Sequence, residues 1–169
     1  MRGSTALAEK IGPGEFARLL NRFYEVSTEV LAPRGAIIDK MIGDEIMAFF
    51  LPAFHSQLFD VAVETATEIL RAVGYGSEEG SWLPLGIGIH HGEAYVGKVG
   101  TEDVSDFTAL GDTINTGARL QAFAQGGQIA VSDSVYDKVS AIYPDVPGEA
   151  KEIRGRSEEL TVHVISPFE

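Results

Sequence analysis

The segment LGDTINTGARL, residues 110–120, consists of a glycine turn followed by a short run with helical spacing. Asn115 and Arg119 lie four residues apart within it, so a helix would place both side chains on one face. An amide beside a permanently protonated guanidinium is suited to stabilising negative charge that develops on a phosphate. The segment therefore indicates nucleotide chemistry, although this pattern alone does not establish it.

The composition is that of one ordinary globular domain. The chain has 169 residues, of which 44% are hydrophobic and 22% are charged. A chain of this length buries about 68–70% of its unfolded surface on folding, which is enough for a stable core. There is no cysteine, so disulfides and thiolate metal sites are excluded, and a reducing cytoplasmic setting is compatible with the sequence.

The charge balance excludes two classes of partner. The formal net charge is −12, so no basic face could dominate the field that a nucleic-acid polymer or an anionic membrane would meet. A small anion held by a few local cations remains compatible with this charge. The longest apolar runs, such as residues 46–54, are far shorter than the roughly 20 residues that span a bilayer. We therefore expect a soluble domain.

Hydrophobic periodicity predicts helices alternating with strands. Helical spacing covers residues 15–31, 55–73, 113–124 and 134–139. Strand patterns cover residues 36–42, 45–50, 83–91, 94–99, 107–110, 128–131, 151–154 and 160–165. We expect one hairpin from the strands at 36–42 and 45–50, and another from those at 83–91 and 94–99. This order predicts an α/β (α+β) domain with helices packed on one face of a mixed, mostly antiparallel sheet.

A candidate metal ligand lies at the tip of the first predicted hairpin. Asp44 directly follows Gly43 there, so its backbone is held in the turn and its carboxylate projects into solvent or a cleft. Such a carboxylate suits a hard cation such as Mg²⁺. An ordinary turn aspartate is the commoner explanation of this spacing, because aspartate tolerates turn geometry. The hairpin alone leaves both interpretations open.

Three motifs follow one another along the chain. They are Gly35-x-Ile37-x-x-Lys40-x-x-Gly43-Asp44-x-x-Met47-Ala48-x-Phe50, Gly86-Ile87-Gly88-Ile89-His90-x-Gly92 and Leu110-Gly111-Asp112-Thr113-x-Asn115-x-x-Ala118-Arg119-Leu120. Their order and spacing resemble the catalytic domain of class III nucleotide cyclases, the adenylyl and guanylyl cyclases. The resemblance covers essentially the whole chain and implies a single domain, residues 1–169, with the ferredoxin-like cyclase fold.

The resemblance implies a reaction and a role for three residues. In such cyclases the ribose 3′-hydroxyl attacks the α-phosphate and expels pyrophosphate, with the help of two Mg²⁺ or Mn²⁺ ions. Asp44 matches a metal-binding aspartate of the family. Asn115 matches the residue that orients the ribose, and Arg119 matches the residue that stabilises charge on the α-phosphate in the transition state.

Two further positions match the family's purine-reading pair. These are Lys40 and Thr108, and lysine paired with threonine resembles the adenine-selecting type. A lysine can donate to adenine N1, whereas the N1–H of guanine cannot accept a hydrogen bond. The resemblance therefore implies an adenylyl cyclase that converts ATP to 3′,5′-cyclic AMP. Without the motif, Thr108 could equally be an ordinary strand threonine.

The triphosphate would be held by residues near both ends of the chain. Arg154 matches a family cation that binds the triphosphate, as a bidentate phosphate ligand. Ser4 and Thr5, just before a predicted helix, match a loop whose backbone amides face phosphate. A solvated turn charge is the alternative for Arg154, and a plain helix N-cap is the alternative for Ser4 and Thr5.

The start of the chain departs from the family pattern. That pattern places a first metal-binding aspartate immediately before the position of Met1, at the end of a strand near the middle of the sheet, and this sequence contains neither. We therefore expect an N-terminally truncated domain, in which Asp44 alone cannot form a paired carboxylate clamp. The alternative is a catalytically inactive homologue that binds nucleotide or dimerises and regulates an attached partner. A diguanylate cyclase is disfavoured, because residues 42–46 lack its second glycine and its aromatic residue.

The resemblance also implies a head-to-tail homodimer with active sites across the interface. One protomer would supply Asp44, Ser4 and Thr5, and the other protomer the remaining site residues, so a monomer should be inactive. The full-length protein could carry sensor domains or a membrane attachment. For the catalytic domain itself we expect a cytoplasmic location, with no membrane contact and no nucleic-acid polymer as partner.

Overall fold

Five α-helices and eight strands form the described part of this computed structural model, residues 1–153 and 159–169. The helices are α1 (Ser4–Ile11), α2 (Pro13–Leu31), α3 (Leu58–Ala72), α4 (Asp112–Leu120) and α5 (Asp133–Val139). The strands are β1 (Ile37–Ile42), β2 (Glu45–Phe49), β3 (Ile87–Ile89), β4 (Tyr95–Gly100), β5 (Ser105–Leu110), β6 (Ile129–Ser132), β7 (Gly148–Lys151) and β8 (Leu160–Ile165). The predicted mixed α/β class is confirmed.

The long helices follow the apolar periodicity of the sequence. α2 begins two residues before the predicted start, because Pro13 occupies its first turn, where a missing N–H costs nothing. The predicted helix at 55–73 is shorter at its start, since residues 52–54 form a separate 3₁₀ turn. The helix predicted at 113–124 divides into α4 and a 3₁₀ turn over Gln121–Phe123.

The strands form three hydrogen-bonded ladders. A four-stranded sheet has the order β3-β6-β8-β7, and β1–β2 and β4–β5 are separate antiparallel pairs. Within the four-stranded sheet only β3 and β6 are parallel, so the mostly antiparallel character is as predicted. The continuous sheet expected from the sequence is divided, because within residues 1–153 and 159–169 β2 pairs only with β1, and β3 only with β6.

The second predicted hairpin is wrong. β3 does not turn back onto β4; it pairs in parallel with β6, with Ile87 opposite Ile129, while β4 pairs with β5. The two apolar runs are adjacent in sequence, which suggested that they pair with each other. The first run instead pairs with the distant β6, and the second pairs with β5, which follows it. The predicted strand also began too early: Leu83 and Leu85 are buried in an irregular segment interrupted by Pro84, which has no N–H for a ladder.

One edge strand is displaced from its predicted position. The structure places β7 at Gly148–Lys151, whereas the sequence pattern predicted residues 151–154. Most of the side chains of β7 are exposed, so the strand has no apolar alternation from which it could be recognised. The later part of the predicted strand includes Arg154, which lies outside the described residues.

Helices pack on both faces of β6, so the predicted packing of helices on one face of the sheet is wrong. Ile129 and Val131 are fully buried against α3 and α5, and Ala130 is buried on the opposite face with Leu120 of α4. Alternate residues of a strand point to opposite faces, so β6 is buried on both sides. The strand therefore forms a rigid base for the helix that carries the motif at 110–120.

A glycine in β3 allows α4 to approach the sheet closely. A Cβ built on Gly88 would lie 2.8 Å from the carbonyl oxygen of Gly117 and closer still to the backbone nitrogen of Gln121. Real Cβ atoms do not approach backbone atoms so closely, so only glycine fits here. The second sequence motif therefore has a packing role, because it sets the distance between α4 and β3.

Candidate active site

Four polar side chains meet where β1 lies against β5. Lys40 Nζ donates to Thr108 Oγ1 across 3.0 Å and to Asp106 Oδ2 across 2.6 Å. The Thr108 hydroxyl in turn donates to Asp39 Oδ2, also across 3.0 Å. The two residues of the predicted purine-reading pair, which are 68 positions apart in sequence, are therefore in direct contact.

An irregularity in β1 explains how two consecutive residues reach the same hydroxyl. The register of the β1–β2 pair shifts between Ile38 and Lys40, so Asp39 has no partner in the ladder. Neighbouring side chains of a regular strand point to opposite faces, but a bulge lets them turn to one side. Asp39 and Lys40 therefore both approach Thr108, and the side chain of Asp39 is only 1% exposed.

The ion pair in this cluster keeps its members charged. The hydrogen bond to Asp106 is the main cause that raises the pKa of Lys40, and the negative charge of Asp39 adds to it. The same hydrogen bond from Lys40 lowers the pKa of Asp106. Lys40 is therefore positively charged near neutral pH. Its ammonium donates to Asp106 and Thr108, and its third N–H can donate to a group that binds beside them.

Asp44 lies at the turn between β1 and β2, as predicted. Gly43 precedes it with a φ of 59°, a left-handed conformation that glycine adopts readily. The Met1 amino group lies 3.5 Å from Asp44 Oδ2 and 3.0 Å from its backbone carbonyl oxygen. Burial raises the pKa of Asp44, but hydrogen bonding from Ser4 and the charge of the Met1 amino group outweigh this effect and lower the pKa. Asp44 is thus an ionised carboxylate that attracts cations.

Ser4 and Thr5 are the first two residues of α1 and lie next to this turn. The N-cap of the helix is Gly3, with a φ of 66° and no side-chain cap, so these residues are in the first turn and not at the cap. Backbone N–H groups of a first turn have no acceptor inside the helix. Their exposed amides and the contact of Ser4 with Asp44 are compatible with the phosphate-facing loop that the resemblance implies.

Asn115 and Arg119 lie on α4, one turn apart. Asn115 is exposed and Arg119 is half-buried. α4 follows β5 directly through Gly111, whose φ of 143° allows the sharp change of direction. The strand that carries Thr108 thus leads straight into the helix that carries the predicted ribose and phosphate residues. Arg154, the predicted triphosphate cation, falls among residues 154–158, outside the described part of the chain.

Metal ligands are sparse in the described structure. Among residues 1–153 and 159–169, no group of three or more His, Asp or Glu side chains is placed to hold a metal ion. Mg²⁺ is commonly held by one or two carboxylates together with phosphate oxygens of the substrate, so Asp44 fits as one such ligand. His90 Nδ1 lies 2.9 Å from Ser132 Oγ, and the ring of His91 packs against Phe59.

Sequence reasoning missed two features of the site. One is Asp39, for which the available signal was a second charged residue beside Lys40 in a strand whose other residues are apolar. The other is a polar link between the Asp44 turn and the end of α4. Arg2 donates to the backbone and side-chain oxygens of Gln121, and Gln121 Nε2 donates to Glu45 Oε1 across 3.2 Å. No periodic pattern marks a link between such distant segments.

Apolar side chains are exposed on the strands that carry Lys40 and Thr108. Phe107 is 60% exposed beside the buried Thr108, and Met41 is 43% exposed beside Lys40. The register of β4 and β5 places Tyr95, Val99 and Leu110 on the same face as Thr108, and Phe107 on the opposite face. Ile42 and Val104 are also exposed. Exposed apolar surface of this kind typically marks a site of protein association.

Comparison with known proteins identifies relatives along nearly the whole chain. The family described as the adenylate and guanylate cyclase catalytic domain matches residues 1–166. An adenylate cyclase of Anabaena cylindrica is 27% identical over 98% of this chain, which corresponds to 35% of the relative. The terminal-differentiation specific adenylate cyclase of Dictyostelium discoideum is 28% identical over 98% of this chain and 8% of its own length.

Solved structures of cyclases share the fold. The guanylyl cyclase Cya2 superimposes with a TM-score of 0.80 and 26% identity, covering 97% of this chain and 86% of Cya2. The adenylyl cyclase CyaB from P. aeruginosa superimposes with a TM-score of 0.79 and 23% identity, covering 97% and 89% of the two chains. The ferredoxin-like cyclase fold implied by the motifs is therefore confirmed.

The match describes a catalytic module within larger relatives. This chain spans 35%, 8% and 25% of the lengths of three adenylate cyclases, from Anabaena cylindrica, Dictyostelium discoideum and Rhizobium meliloti. None of the helices in residues 1–153 and 159–169 combines the length and the apolar character that crossing a membrane requires. The ordered motifs, the fold and the family match together show that the chain belongs to the class III adenylyl and guanylyl cyclase catalytic domain family.

Proposed function

We propose that this chain is the catalytic domain of an adenylyl cyclase, which converts ATP to 3′,5′-cyclic AMP and pyrophosphate. The observation that carries the proposal is the contact between Lys40 Nζ and Thr108 Oγ1 across 3.0 Å. This contact places a cationic donor beside a hydroxyl oxygen at the end of the β1–β5 interface. Relatives named adenylate cyclase in three organisms support the same substrate.

Adenine matches this pair better than guanine does. The Lys40 ammonium has only donors, so it pairs with the unprotonated N1 of adenine and opposes the N1–H of guanine. Thr108 Oγ1 lies next to it and faces the 6-substituent of the same ring edge. A site built around such polar contacts rejects a ring with the wrong donor pattern, because the buried groups are then left unpaired.

Residues of α1, α4 and the C-terminal segment bind the sugar and the phosphates. Asn115 orients the ribose, and Arg119 stabilises the charge that develops on the α-phosphate as pyrophosphate leaves. The amides of Ser4 and Thr5 contact the triphosphate, as does Arg154. Each of these groups is most effective where negative charge increases in the transition state, so their loss should lower kcat more than it raises KM.

A divalent cation completes the chemistry. Asp44 would hold Mg²⁺ or Mn²⁺ together with phosphate oxygens. The two ions that the family uses would neutralise phosphate charge and acidify the 3′-hydroxyl, and Asp44 is the one member of the family's carboxylate pair that this sequence contains. The lowered pKa of Asp44 keeps its carboxylate ionised throughout the neutral range. This side chain is therefore available as a ligand whenever ATP binds.

The active enzyme is a head-to-tail homodimer. The exposed apolar side chains of β1, β4 and β5 would be covered by the second protomer, which brings Asp44 of one chain opposite Lys40 of the other. A solved guanylyl cyclase domain of this fold is described as a non-canonical dimer, which supports association of such domains, while the head-to-tail arrangement rests on the resemblance. A light-regulated bacterial adenylyl cyclase, of which this chain covers 49%, supports control by an attached sensor domain.

The test is a cyclase assay with Mn²⁺ and either ATP or GTP. It uses this chain and a version extended at its N-terminus by upstream residues of the same gene. Formation of cyclic AMP from ATP, with much less cyclic GMP from GTP, supports the proposal. Tight nucleotide binding without any cyclic product from either version would instead identify a catalytically inactive nucleotide-binding module.

A further inference from the structure

We propose that Asp39 is a specificity-positioning residue, which fixes the Thr108 hydroxyl as a hydrogen-bond acceptor towards the purine 6-substituent. The inference rests on the proposed function, because it takes the purine to bind beside Lys40 and Thr108. It concerns a residue that does not itself reach the purine, since the side chain of Asp39 is 1% exposed.

The Thr108 hydroxyl has a single proton to donate. An ionised carboxylate only accepts hydrogen bonds, so the 3.0 Å contact between Thr108 Oγ1 and Asp39 Oδ2 must use the threonine proton. The Ala109 carbonyl oxygen is also near, but its 3.5 Å separation makes it the weaker acceptor. A charged acceptor at the shorter distance holds the proton more strongly.

Lys40 occupies one of the two lone pairs of the same oxygen. Its ammonium donates to Thr108 Oγ1 across 3.0 Å, and an ammonium has no acceptor to offer in return. Thr108 Oγ1 thus keeps one free lone pair and no free proton. Towards a ligand it can act only as an acceptor.

The surroundings of Asp39 indicate that it is retained for more than stability. Its Oδ1 is buried and has no hydrogen-bond partner among the described residues. Its Oδ2 contacts the Thr108 hydroxyl, with the Lys40 ammonium 3.8 Å away. Burying a carboxylate with so few partners opposes folding. A buried polar atom left unsatisfied in this way calls for a reason beyond packing.

The fixed acceptor discriminates between the two kinds of 6-substituted purine. Adenine carries a 6-amino group, which donates to the free lone pair of Thr108. Guanine and hypoxanthine carry a 6-carbonyl, which presents an acceptor to an acceptor and is repelled. A threonine free to rotate would accept from one and donate to the other, so it would discriminate poorly. Asp39 thus changes the Thr108 hydroxyl from a group that can donate or accept into one that only accepts, and which therefore favours the 6-amino group of adenine.

The experiment measures nucleotide affinity by competition against an ATP analogue with a fluorescent group on its ribose. The competitors are ATP and ITP, which differ on the six-membered ring only at position 6 and its neighbour N1. We expect Asp39→Ala to lower the ATP-to-ITP affinity ratio about tenfold, a typical value for one hydrogen bond in a buried site. Lys40 contributes to the ratio in both proteins, and a Thr108→Val background separates any change in its contribution from that of the hydroxyl.

Two variants separate positioning from structural damage. Asp39→Asn should retain the wild-type ratio, because its amide can turn its oxygen towards Thr108 and Lys40. In a Thr108→Val background, Asp39→Ala should have no further effect on the ratio, since the hydroxyl that it positions is gone. A ratio that Asp39→Ala leaves unchanged, or that it changes equally without the hydroxyl, would overturn the inference.

If the alanine variant does not fold, a measurement on the wild-type chain still tests whether Thr108 accepts from the 6-amino group. Purine riboside triphosphate keeps the N1 acceptor of adenine but has no 6-amino group, so it should bind more weakly than ATP. Equal affinities would overturn the inference. Cyclic nucleotide formation is assayed in parallel: the expected ratios without any product would refute only the cyclase function, whereas product formation with unaltered ratios would refute only the role of Asp39.

Discussion

Lys40 Nζ and Thr108 Oγ1 lie 3.0 Å apart and join the first hairpin to the strand that leads into α4. The contact links the motif containing Asp44 with the motif containing Asn115 and Arg119. One hydrogen bond therefore connects the two parts of the chain that carry most of the predicted site residues.

Replacing Arg119 should affect the chemical step. We expect Arg119→Ala to lower kcat for cyclic AMP formation by about 10²–10³-fold with little change in KM, as for other groups that stabilise charge in a transition state. Asn115→Ala should act in the same direction. Steady-state kinetics at saturating ATP provide the measurement, with Arg18→Ala on the exposed surface of α2 as the control. A large rise in KM at constant kcat would assign Arg119 to ground-state binding instead.

Dilution should inactivate the enzyme. If each site is completed across a dimer, the specific activity falls as the protein dissociates, and it does so in parallel with the dimer fraction measured by analytical ultracentrifugation. Phe107→Glu, which replaces an exposed apolar side chain of β5 with a charged one, should shift this transition to higher protein concentration. Glu78→Gln in an exposed loop serves as the control. Constant specific activity down to fully monomeric protein would refute the shared site.

Asp44 should make a pH-dependent contribution to stability. Its folded-state pKa is lower than the ordinary value of 3.8, so the carboxylate stabilises the fold above that value. The contribution should disappear as the pH falls through the lowered pKa. Denaturant unfolding of wild type and Asp44→Asn should therefore give a difference in free energy that is constant from pH 7 to pH 5 and decreases in stronger acid. A difference that grows on acidification would contradict the direction of the shift.

Gly88 should tolerate no side chain. A Cβ there would overlap the backbone of α4 at Gly117 and Gln121, so Gly88→Ala should reduce the free energy of unfolding by about 1–3 kcal/mol, as overpacking does. It should also lower activity, because α4 carries Arg119. The matched control is Gly14→Ala in α2, where the added Cβ meets no atom within 4 Å. Equal stability of the two variants would show that α4 does not depend on this approach.

The local elements of the fold could be predicted from the sequence, because their signals are local. The apolar face of α2 and the turn at Gly43-Asp44 depend on residues close together in the chain, and both occur as expected. The pairing of β3 with β6 could not be predicted in this way, since it joins Ile87 to Ile129 and leaves no trace in the spacing of either segment.

The candidate site was predicted to a similar extent. Ordered motifs indicated Lys40, Thr108 and Asp44, and the structure places the first two in contact, while their roles stay predictions. The contact of Asp39 with Thr108 could not be predicted, because in a regular strand the side chain of Asp39 would point away from that of Lys40. Only the bulge in β1 turns both towards Thr108, and a single irregular residue pair has no periodicity from which it could be inferred.

Selectivity for ATP over GTP, measured together with its dependence on Lys40, examines the proposed function most directly. The quantity is kcat/KM for cyclic AMP formation divided by kcat/KM for cyclic GMP formation. We predict that wild type strongly favours ATP and that Lys40→Ala lowers this ratio at least about tenfold, the value of one lost discriminating hydrogen bond. Lys98→Ala, which removes an exposed lysine from β4, should leave it unchanged. A wild-type ratio of one or less, or a ratio insensitive to Lys40, would show that this site does not read adenine.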